Sequence, residues 1–473
     1  MSKFYITTTL PYVNANPHIG FALEIVQADT IARTHRLLGD EVIFNFGTDE
    51  HGLKIYKKAL EEGKNPQDYV DEYAKKFDAL KEALNLTYTN FIRTTNPIHK
   101  KAAQEFWKRC LENKDIYKKM YKVKYCVGCE LEKTESELVE GKCPLHPNLE
   151  LEIIEEENYF FRFSKYQKPL LNFYKENPNF IVPNSKFKEI KSFVKKGLQD
   201  FSISRLKAKM PWGIDIPNDP EQVMYVWFDA LINYISTLGW PKQDSNYKNF
   251  WPGYQFAGKD NLRQQAAIWQ AMLMSAGLPN SRQIFIHGFI TVNGQKISKS
   301  LGNAINPIEI VNKYGTDALR YYLLAKIHPY EDSDFTYEKF EKVYNADLAN
   351  GLGNLFARIS AMTRNLQIET DKKKLKISKE VVNWLSEYRF DKALKFVWQQ
   401  IKKADIYINE NKVWELPNIK KKNALSYLIN AIEQIAFDLQ PFLPETAEKI
   451  LNYDFTLIKA PQKPLFPRLK QNK

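Results

Sequence analysis

Apolar and polar positions follow two different periods in the first part of the chain. Short apolar runs predict strands at 3–9 and 41–46. Longer stretches with a helical period predict helices at 18–37, 53–62 and 66–84. This strand–helix–strand order predicts a parallel sheet with helices on its faces. Ligands bind such sheets at the carboxyl ends of the strands, so the segments that follow each strand are candidate site segments.

The segment from 115 to 215 interrupts this alternation. It contains short strand-like pieces, many charged residues and three of the four cysteines, so it is predicted to be an insertion with its own small unit. The α/β pattern resumes near Tyr225. It predicts a helix at 261–276, a strand at 283–287 and a second helix at 306–325.

The pattern becomes purely helical from about residue 338. Apolar residues recur there at steps of three and four, at Phe340, Tyr344, Leu348, Leu352, Leu355, Ile359 and Met362. Further helices are predicted at 381–408 and 422–452. Several amphipathic helices in succession predict a helix bundle.

Length and composition restrict the class of protein. The chain has 473 residues, which predicts two to four domains. Hydrophobic residues make up 44% and charged residues 26%, which is typical of globular proteins. No apolar run approaches the roughly 18 residues that a membrane span needs, and the N-terminus lacks the order of a signal peptide. We therefore expect a cytoplasmic protein without a membrane partner.

The basic excess leaves two interpretations open. There are 68 basic and 56 acidic residues, which gives a net charge of +12. This charge permits a polyanionic partner such as RNA. A solvated, lysine-rich surface explains it equally well.

Three cysteines and one histidine have the spacing of a metal site. Cys126 and Cys129 are separated by two residues, and Cys143 and His146 repeat that spacing after a gap of thirteen residues. Two such knuckles complete a tetrahedron of three thiolates and one imidazole. We expect one structural zinc ion per chain, because four protein ligands leave no open catalytic position. Cys110 has no such neighbour and is predicted to be a buried core residue.

Two short motifs have the composition of phosphate-binding loops. The first places His18 and Gly20 where a strand gives way to a helix, and a helix N-terminus favours phosphate. The second is the sequence KISKS at 296–300, whose two lysines can contact a polyphosphate. Each motif alone also has a non-functional interpretation. The first could be a structural His-x-Gly turn, and the second could be a pair of solvated lysines.

Taken in this order, and about 280 residues apart, the motifs resemble those of class I aminoacyl-tRNA synthetases. Within that class the chain is similar to the methionyl-tRNA synthetase family over nearly its whole length. The segments that carry the resemblance are ITTTLPYVNANPHIG, GTDEHG, DFSISR, YVWFDALINY, GKDNL, IHGFITVNGQKISKSLGN and ADLANGLGNLFARI. The resemblance also implies that Arg205 lies near the active site.

The resemblance implies a division into four parts. The expected fold is an α/β Rossmann-like catalytic domain with a zinc-binding connective insertion, followed by an all-α anticodon-binding helix bundle. The catalytic domain would comprise 1–114 and 216–337, with the insertion at 115–215 and the bundle at 338–473. We expect a monomer, because the chain ends soon after the bundle with no obvious dimerisation module.

The resemblance also implies the residues that contact ATP and its Mg²⁺. These are His18, Gly20, Glu24, Asp260, Lys296 and Lys299. His18 would contact phosphate in the transition state, and Gly20 and Glu24 would lie along the adenosine. A carboxylate at Asp260 suits two vicinal ribose hydroxyls. The two lysines would stabilise the α-phosphate and the departing pyrophosphate.

A methionine pocket is implied by a third set of positions. These are Leu10, Tyr12, Asp49, Trp227, Ala230, Tyr234, Asn261 and Gln265. Asp49 would pair with the substrate ammonium group, and aromatic walls suit a polarizable thioether. The chain departs from the family pattern at Phe21, which replaces a second signature histidine, and at Leu231, which replaces a proline. Asn261 and Gln265 replace an isoleucine and a histidine.

Anticodon recognition would involve Asn354 and Arg358. The two residues are four apart, so they share one helical face, and both can bond base edges. A solvated helix face is the alternative. The family also stacks a tryptophan on an anticodon base, and Leu457 stands near that place here.

The resemblance implies ligation of L-methionine to tRNA(Met) through a methionyl-adenylate. Two alternatives remain. One is a class I synthetase for another amino acid, although the insertion is too small for the editing domains of the valine, isoleucine and leucine enzymes. The zinc ligands of the cysteine enzyme are dispersed, unlike the compact set here. The other alternative is a non-catalytic tRNA-binding paralogue, which Phe21 favours and the remaining active-site residues oppose.

Overall fold

Helices and strands alternate through the first two thirds of the protein. The computed structural model describes residues 2–129, 131–133, 137–242, 245–297, 302–364, 366–368, 375–455 and 463–469. The first elements are β1 (Lys3–Thr8), α1 (Ile19–Leu37), β2 (Glu41–Thr48), α2 (Leu53–Glu61), α3 (Pro66–Asp78), α4 (Leu80–Ala83), β3 (Asn90–Arg93) and α5 (Pro97–Glu112). They are followed by β4 (Ile116–Cys126), β5 (Leu131–Lys133), β6 (Glu152–Phe161), α6 (Gln167–Glu176), β7 (Ile181–Val182), α7 (Asn184–Lys195), β8 (Phe201–Ser202), β9 (Ser204–Leu206) and β10 (Asp215–Ile216).

The remaining elements end in a run of helices. The α/β pattern resumes with β11 (Asp219–Met224), α8 (Val226–Ala230), α9 (Asn233–Ser236), α10 (Tyr247–Phe250), β12 (Tyr254–Gly258), α11 (Trp269–Ser275), β13 (Gln283–His287), β14 (Ile290–Val292), β15 (Gln295–Lys296), α12 (Pro307–Tyr314), α13 (Thr316–Ala325) and β16 (Ser333–Phe335). The bundle consists of α14 (Tyr337–Val343), α15 (Asn354–Met362), α16 (Lys379–Ser386), α17 (Phe390–Glu410), α18 (Asn418–Leu439) and α19 (Pro444–Leu451).

Six parallel strands form the central sheet, in the order β3-β2-β1-β12-β13-β7. The chain moves from β1 outward to β2 and β3, and later returns to β12 on the other side of β1. The strand order therefore reverses between β1 and β12, where open α/β sheets bind their ligands. The predicted parallel sheet with helices is confirmed. Its edge strand β7 comes from the segment that the sequence predicts as the insertion.

Three helices begin with the same Asn-Pro pair. Asn65, Asn96 and Asn306 each cap a helix by accepting a hydrogen bond from the second backbone N–H that follows. The proline at the first helical position has no N–H to leave unsatisfied, and its fixed φ suits the helix. Local sequence therefore determines where α3, α5 and α12 begin.

A four-stranded antiparallel sheet, in the order β5-β4-β6-β8, carries the insertion. The long strands β4 and β6 pair from Ile116 opposite Phe161 to Tyr125 opposite Glu152. Cys126 is the last residue of β4, so the predicted metal knuckles lie at the far end of this ribbon.

Several helices that the sequence predicts as single are interrupted. The predictions of one helix were wrong at 306–325, 381–408 and 422–452. Gly315 ends α12 with a φ of 92°, and Tyr388 has a φ of 55° between α16 and α17. Pro441 and Pro444 follow α18, and proline cannot continue a helix interior. The hydrophobic period survives each interruption, which is why the pattern alone missed them.

Two segments adopt the wider π-helix. One is Gln264–Ile268, within the helix predicted at 261–276, and the other is Tyr344–Gly353, between α14 and α15. Single-turn π segments are frequent at functional sites. The first lies beside the carboxyl end of β12.

The bundle is joined to the catalytic half by a continuous core. One hydrophobic cluster extends from one face of the central sheet through α13 into the bundle, and a second contains the other face and the insertion helices. Arg320, on α13, is fully buried and donates to the carbonyls of Leu84, Pro441 and Phe442. It also pairs with Asp29 at 2.9 Å. None of the helices in the described part of the chain is long and apolar enough to span a membrane.

Candidate active site

A cavity of about 300 Å³, here called the strand-end cavity, opens at the carboxyl ends of β1, β2 and β12. The lining includes all eight residues assigned to methionine: Leu10, Tyr12, Asp49, Trp227, Ala230, Tyr234, Asn261 and Gln265. Parallel strands end at the same edge of a sheet, so loops distant in sequence meet there. The structure therefore brings this predicted set together around one space.

The loops that follow β1 and β2 hold each other in place. Tyr12 and Asp49 form a parallel bridge, in which Asp49 donates its backbone N–H to Pro11 at 2.9 Å and accepts from Val13 at 3.2 Å. Asp49 is 8% exposed, so its carboxylate is presented from a largely buried position. Among the described residues, Asp49 and Lys54 are the charged side chains that line the cavity.

Gln265 closes the floor of the strand-end cavity. Its amide donates to the Tyr234 hydroxyl at 2.6 Å, and its carbonyl accepts from Gln255 at 3.3 Å. Burial raises the pKa of Tyr234, so the phenol stays neutral. The glutamine therefore contacts the tyrosine from the position where the resemblance implies a histidine. Leu231, in place of a proline, is also part of the lining.

A buried carboxylate supports the helix that carries Trp227 and Ala230. Asp229 on α8 contacts His51 Nδ1 at 3.0 Å and His99 Nε2 at 3.4 Å, and all three side chains are buried. Burial alone would raise the pKa of Asp229, but the two histidines outweigh it and hold the pKa low. A carboxylate shared by two rings ties α8 to α5 and to the loop that follows β2. His51 and Asp229 both lie within segments quoted for the resemblance, yet the sequence assigned them no role.

His18 caps the helix that begins at the same edge. Its Nδ1 accepts from the backbone N–H of Gly20 at 3.1 Å, so the proton of the neutral ring is on Nε2. A Cβ at position 20 would approach the His18 ring to 2.9 Å. A glycine is therefore needed at position 20 to accommodate the His18 ring, whether or not a ligand is bound. Phe21 packs on the His18 ring at 4.3 Å and on Phe77 at 5.4 Å.

Glu24 and His287 form a buried pair that the sequence missed. One Glu24 oxygen accepts from the backbone and hydroxyl of Thr9 at 2.7 and 2.6 Å, and the other contacts His287 Nε2 at 2.8 Å. His287 Nδ1 lies 2.7 Å from the carbonyl of Gly288. Both ring nitrogens face acceptors, and this geometry favours the doubly protonated imidazolium. Burial alone would lower the pKa of His287, but the bond to Glu24 outweighs it and raises the pKa.

Asp260 and Lys296, two further residues assigned to ATP, lie after β12 and in β15. Burial raises the pKa of Asp260, which follows β12 and receives a hydrogen bond from Asn261 at 3.3 Å. Lys296 lies at the end of β15, with its ammonium 5.5 Å from the centre of the Phe289 ring. Lys299 lies outside the described residues. Ile19 at the start of α1 donates its backbone N–H to the Ile305 carbonyl at 2.9 Å, which links α1 to the segment before α12.

The predicted metal ligands converge at the end of the insertion ribbon. Cys126, Cys129, Cys143 and His146 present ligand atoms that all lie within 4.8 Å of one another. The sulfurs of Cys129 and Cys143 are 3.4 Å apart, close to the roughly 3.8 Å expected for two thiolates on one tetrahedral zinc ion. A Cβ at Gly128 would approach the His146 ring to 2.6 Å, so the knuckle requires glycine there. The donor set and the geometry fit zinc.

The metal knuckle also forms one wall of the strand-end cavity. Gly128 and Cys129 are part of its lining, and Lys54 on α2 reaches the Gly128 carbonyl at 3.5 Å. Burial, together with the ammonium groups of Lys54 and Lys296, lowers the pKa of His146 and keeps its ring neutral. A neutral imidazole is the form that binds metal. Lys54 was missed because nothing in the sequence shows that α2 faces this cavity.

The candidate anticodon residues lie on α15 of the bundle. Arg358 forms an ion pair with Asp405 and donates to Asn409 at 2.6 Å, both on α17. Asn354 is half-buried on the same face, one turn earlier. The neighbouring side chains of Leu355 and Ile359 are buried and anchor α15. The assignment of Asn354 and Arg358 to the anticodon stays a prediction.

An exposed tryptophan follows α17, the helix whose Asp405 and Asn409 bind Arg358. Trp414 is 46% exposed and follows the end of α17 by one turn, after a left-handed Lys412 with a φ of 42°. Leu457, the position where the sequence placed the family's tryptophan, lies outside the described residues. Trp414 was missed because its place depends on the turn between α17 and α18.

Comparisons with known proteins agree with this geometry. A family model described as "tRNA synthetases class I (M)" matches residues 4–150 and 148–360. The chain is 42% identical over 470 residues to the methionine–tRNA ligase of Thermotoga maritima, covering 95% of this chain and 74% of that protein. It is 41% identical over 472 residues to the methionine–tRNA ligase of Nostoc sp., covering 94% and 89%.

A solved structure matches the fold over its full length. The Mycobacterium tuberculosis methionyl-tRNA synthetase in complex with methionyl-adenylate superposes with a TM-score of 0.91 at 33% identity. The match covers 99% of this chain and 100% of that one. The chain therefore belongs to the methionyl-tRNA synthetase family of class I tRNA synthetases.

Proposed function

We propose that this chain ligates L-methionine to tRNA(Met) at the expense of ATP, through a methionyl-adenylate. The observation that carries the proposal is the strand-end cavity, which offers a carboxylate, an ammonium group and aromatic walls beside the N-terminus of α1. In the first step the methionine carboxylate attacks the α-phosphate of ATP and displaces pyrophosphate. In the second step a hydroxyl of the terminal adenosine of tRNA attacks the adenylate and releases AMP.

Methionine would bind with both charges matched. Asp49 pairs with the ammonium group, and Lys54, on the same rim, faces the carboxylate. Trp227 and Tyr234 enclose the thioether, because polarizable sulfur interacts favourably with aromatic rings. Gln265 supports this wall through its hydrogen bond to the Tyr234 hydroxyl. Leu10, Tyr12, Ala230 and Asn261 complete the pocket.

ATP would bind across the reversal point of the sheet. The Nε2–H of His18 and the positive end of α1 face phosphate, with Gly20 holding the ring in that orientation. Glu24 supports the adenosine side through Thr9 and His287. Asp260 accepts from the ribose hydroxyls. Phe21 serves this site as a packing residue for His18, which accounts for the absence of a second histidine.

Lys296 and Lys299 would stabilise the charge that develops on the phosphates. Their contribution is electrostatic, because the reaction passes through no covalent enzyme intermediate. ATP enters with Mg²⁺, which neutralises charge on the phosphates.

Zinc would be held by Cys126, Cys129, Cys143 and His146. Four protein ligands make this a structural ion. Its role is to hold Gly128 and Cys129 as a wall of the strand-end cavity, so the metal acts on methionine binding through geometry.

The bundle would read the anticodon. Asn354 and Arg358 contact base edges, and Trp414 supplies the stacking surface. Asp405 and Asn409 orient the Arg358 guanidinium before the tRNA arrives. The division into a catalytic domain (1–114 and 216–337), an insertion (115–215) and a helical domain (338–473) belongs to the same proposal.

ATP–pyrophosphate exchange with each amino acid in turn tests the first step. Exchange should be stimulated best by methionine. Stronger stimulation by another amino acid would assign the chain to a different substrate, and absence of exchange with tight tRNA binding would make it a non-catalytic RNA-binding protein. Charging of tRNA(Met), compared with an anticodon-substituted tRNA(Met), tests the second step.

His18→Ala and Phe21→Ala form a matched pair in this assay. His18→Ala should lower exchange by about 100-fold or more, as loss of one transition-state donor does elsewhere. Phe21→Ala removes only packing against His18 and Phe77. It should therefore act mainly on stability. Near-normal exchange in His18→Ala would show that the phosphate contact is made elsewhere.

A further inference from the structure

Three buried side chains connect two walls of the strand-end cavity from behind. Asp229 on α8 contacts His51 Nδ1 at 3.0 Å and His99 Nε2 at 3.4 Å, and each of the three side chains is at most 1% exposed. This group is here called the Asp229 clip. None of its members belongs to the cavity lining that the structure describes. The clip therefore acts on the cavity only through the elements that it connects.

The two connected walls serve opposite ends of the proposed methionine pocket. His51 stands two residues after Asp49, the carboxylate assigned to the substrate ammonium group. Asp229 stands on α8 between Trp227, which is assigned to the thioether, and Ala230. The contact between His51 and Asp229 thus determines how far the ammonium anchor lies from the wall at the side-chain end.

Further contacts hold both halves of the clip. Trp212 packs against the His51 ring at 5.7 Å and donates from Nε1 to the Glu50 carbonyl at 2.6 Å, which holds the loop after β2. His99 Nδ1 lies 2.9 Å from the Ser236 hydroxyl, which ties α5 to α9. Buried polar groups that are hydrogen-bonded to one another favour a single geometry. The clip therefore holds one spacing between α8 and the loop.

The neighbouring helix α9 has its own ties to the central sheet. Asn45 on β2 donates to Asn233 at 3.2 Å and accepts from the Thr237 hydroxyl at 2.8 Å. Asn90 on β3 donates to the Thr237 carbonyl at 3.0 Å. This region therefore keeps several anchors when the clip is weakened, and the element that loses support is α8.

We propose that the Asp229 clip sets the length of the amino acid that the pocket accepts, by fixing α8 relative to the loop that carries Asp49. The inference rests on the proposed function and assigns part of its specificity to residues that do not touch the substrate. His51, His99 and Asp229 are positioning residues, because they act through Asp49 and α8. A pocket held at one length rejects a side chain with one more methylene, and one methylene changes kcat/KM by about 10–200-fold.

Methionine and ethionine, its homologue with one more methylene, measure this spacing in ATP–pyrophosphate exchange. Asp229→Asn keeps the shape of the side chain, removes its charge and turns an amide N–H toward one of the rings. Helix α8 is then held less tightly and has to be ordered when methionine binds. KM for methionine should rise about tenfold, the loss expected for one charge-assisted bond, while KM for ATP stays within about twofold. The ratio of kcat/KM for methionine to that for ethionine should fall by about fivefold or more.

His51→Leu and His51→Asn form a second, matched pair of similar size. Leucine removes the N–H that faces Asp229, so KM for methionine and the ratio should change as in Asp229→Asn. Asparagine offers an N–H in place of Nδ1, so it should recover most of the discrimination.

A buried carboxylate elsewhere in the protein supplies the control. Asp115 is fully buried, accepts from the Ser275 hydroxyl at 2.9 Å and does not line the strand-end cavity. Asp115→Asn should lower the thermal midpoint, because a charge-assisted bond is lost, and leave the methionine-to-ethionine ratio unchanged.

The ratio decides the outcome. An unchanged ratio in Asp229→Asn and His51→Leu would overturn the inference. Equal rises in KM for methionine and for ATP, with the ratio retained, would also overturn it, because that pattern indicates a general loss of structure. Absence of methionine-stimulated exchange in the wild-type protein would instead refute the proposed function itself.

Discussion

Glu24→Gln should convert His287 from an imidazolium into a neutral ring. In the wild-type protein His287 donates from Nε2 to Glu24 at 2.8 Å and from Nδ1 to Gly288 at 2.7 Å. An amide at position 24 turns an N–H toward Nε2, which then has to accept. The neutral tautomer with its proton on Nδ1 satisfies both contacts. The pKa of His287 should therefore fall below the raised value that Glu24 maintains.

The magnitude follows from the change in hydrogen-bond type. A bond to a charged group contributes about 1.5–3 kcal/mol and a neutral bond about 0.5–1.5 kcal/mol, so the substitution should cost about 1–2 kcal/mol. Both side chains are largely buried, so solvent screens the pair only weakly. Because the folded pKa is raised, the stabilisation is complete below the ordinary value of about 6.5 and is lost as pH rises through the folded pKa. The cost of Glu24→Gln should shrink over the same interval.

Histidine-selective ¹³C NMR measures the pKa of His287 directly. The chain has seven histidines, and His287→Asn assigns the relevant signal. Thermal midpoints recorded from pH 6 to pH 9 give the second readout. Glu41→Gln, which removes an exposed carboxylate paired with Lys3, is the control. It should change neither the titration of His287 nor the pH dependence of the thermal midpoint. An unchanged His287 titration in Glu24→Gln would refute the assignment of the imidazolium.

Three further predictions concern the metal, the cavity rim and the interdomain contact. Cys143→Ser should abolish binding of the one zinc ion, measured by metal analysis, and raise KM for methionine. Retained zinc would contradict the ligand set. Lys54→Met should raise KM for methionine about tenfold with little effect on KM for ATP, the loss expected for one charged contact. Equal effects on both KM values would place the ammonium near phosphate. Arg320→Met should destabilise the fold by about 3–5 kcal/mol, because it leaves Asp29 buried with less compensation. A loss in urea unfolding below about 1 kcal/mol would show that Arg33 and Thr87 satisfy Asp29 without Arg320.

Several elements of the fold can be predicted from short stretches of sequence alone. The parallel sheet, the Asn-Pro helix starts and the bundle follow from hydrophobic period and capping residues. Breaks at Gly315 and Tyr388 were missed, because the apolar period continues across them. The π turn at Gln264–Ile268 was missed for a similar reason, since one extra residue per turn barely alters the pattern.

Some residues of the candidate site could be predicted from the sequence and others could not. The metal ligands could be predicted, because a knuckle is a short-range geometry set by two intervening residues. Candidates for ATP and methionine came from motifs in a recognisable order. His287, Lys54 and Trp414 could not be assigned, since each contacts a partner that is distant in sequence or depends on an intervening turn.

The sequence by itself determined which chemical groups are present and the class of fold that holds them. Tertiary structure decided which groups meet. Glu24 and His287 are 263 positions apart, and only the parallel order of the sheet brings α1 and the end of β13 together. Their contact also fixes the charge of His287, because a pKa depends on burial and neighbours that a linear sequence does not contain. The same holds for the strand-end cavity, whose lining residues range along the chain from Thr9 to Gln265 and meet only in the folded protein.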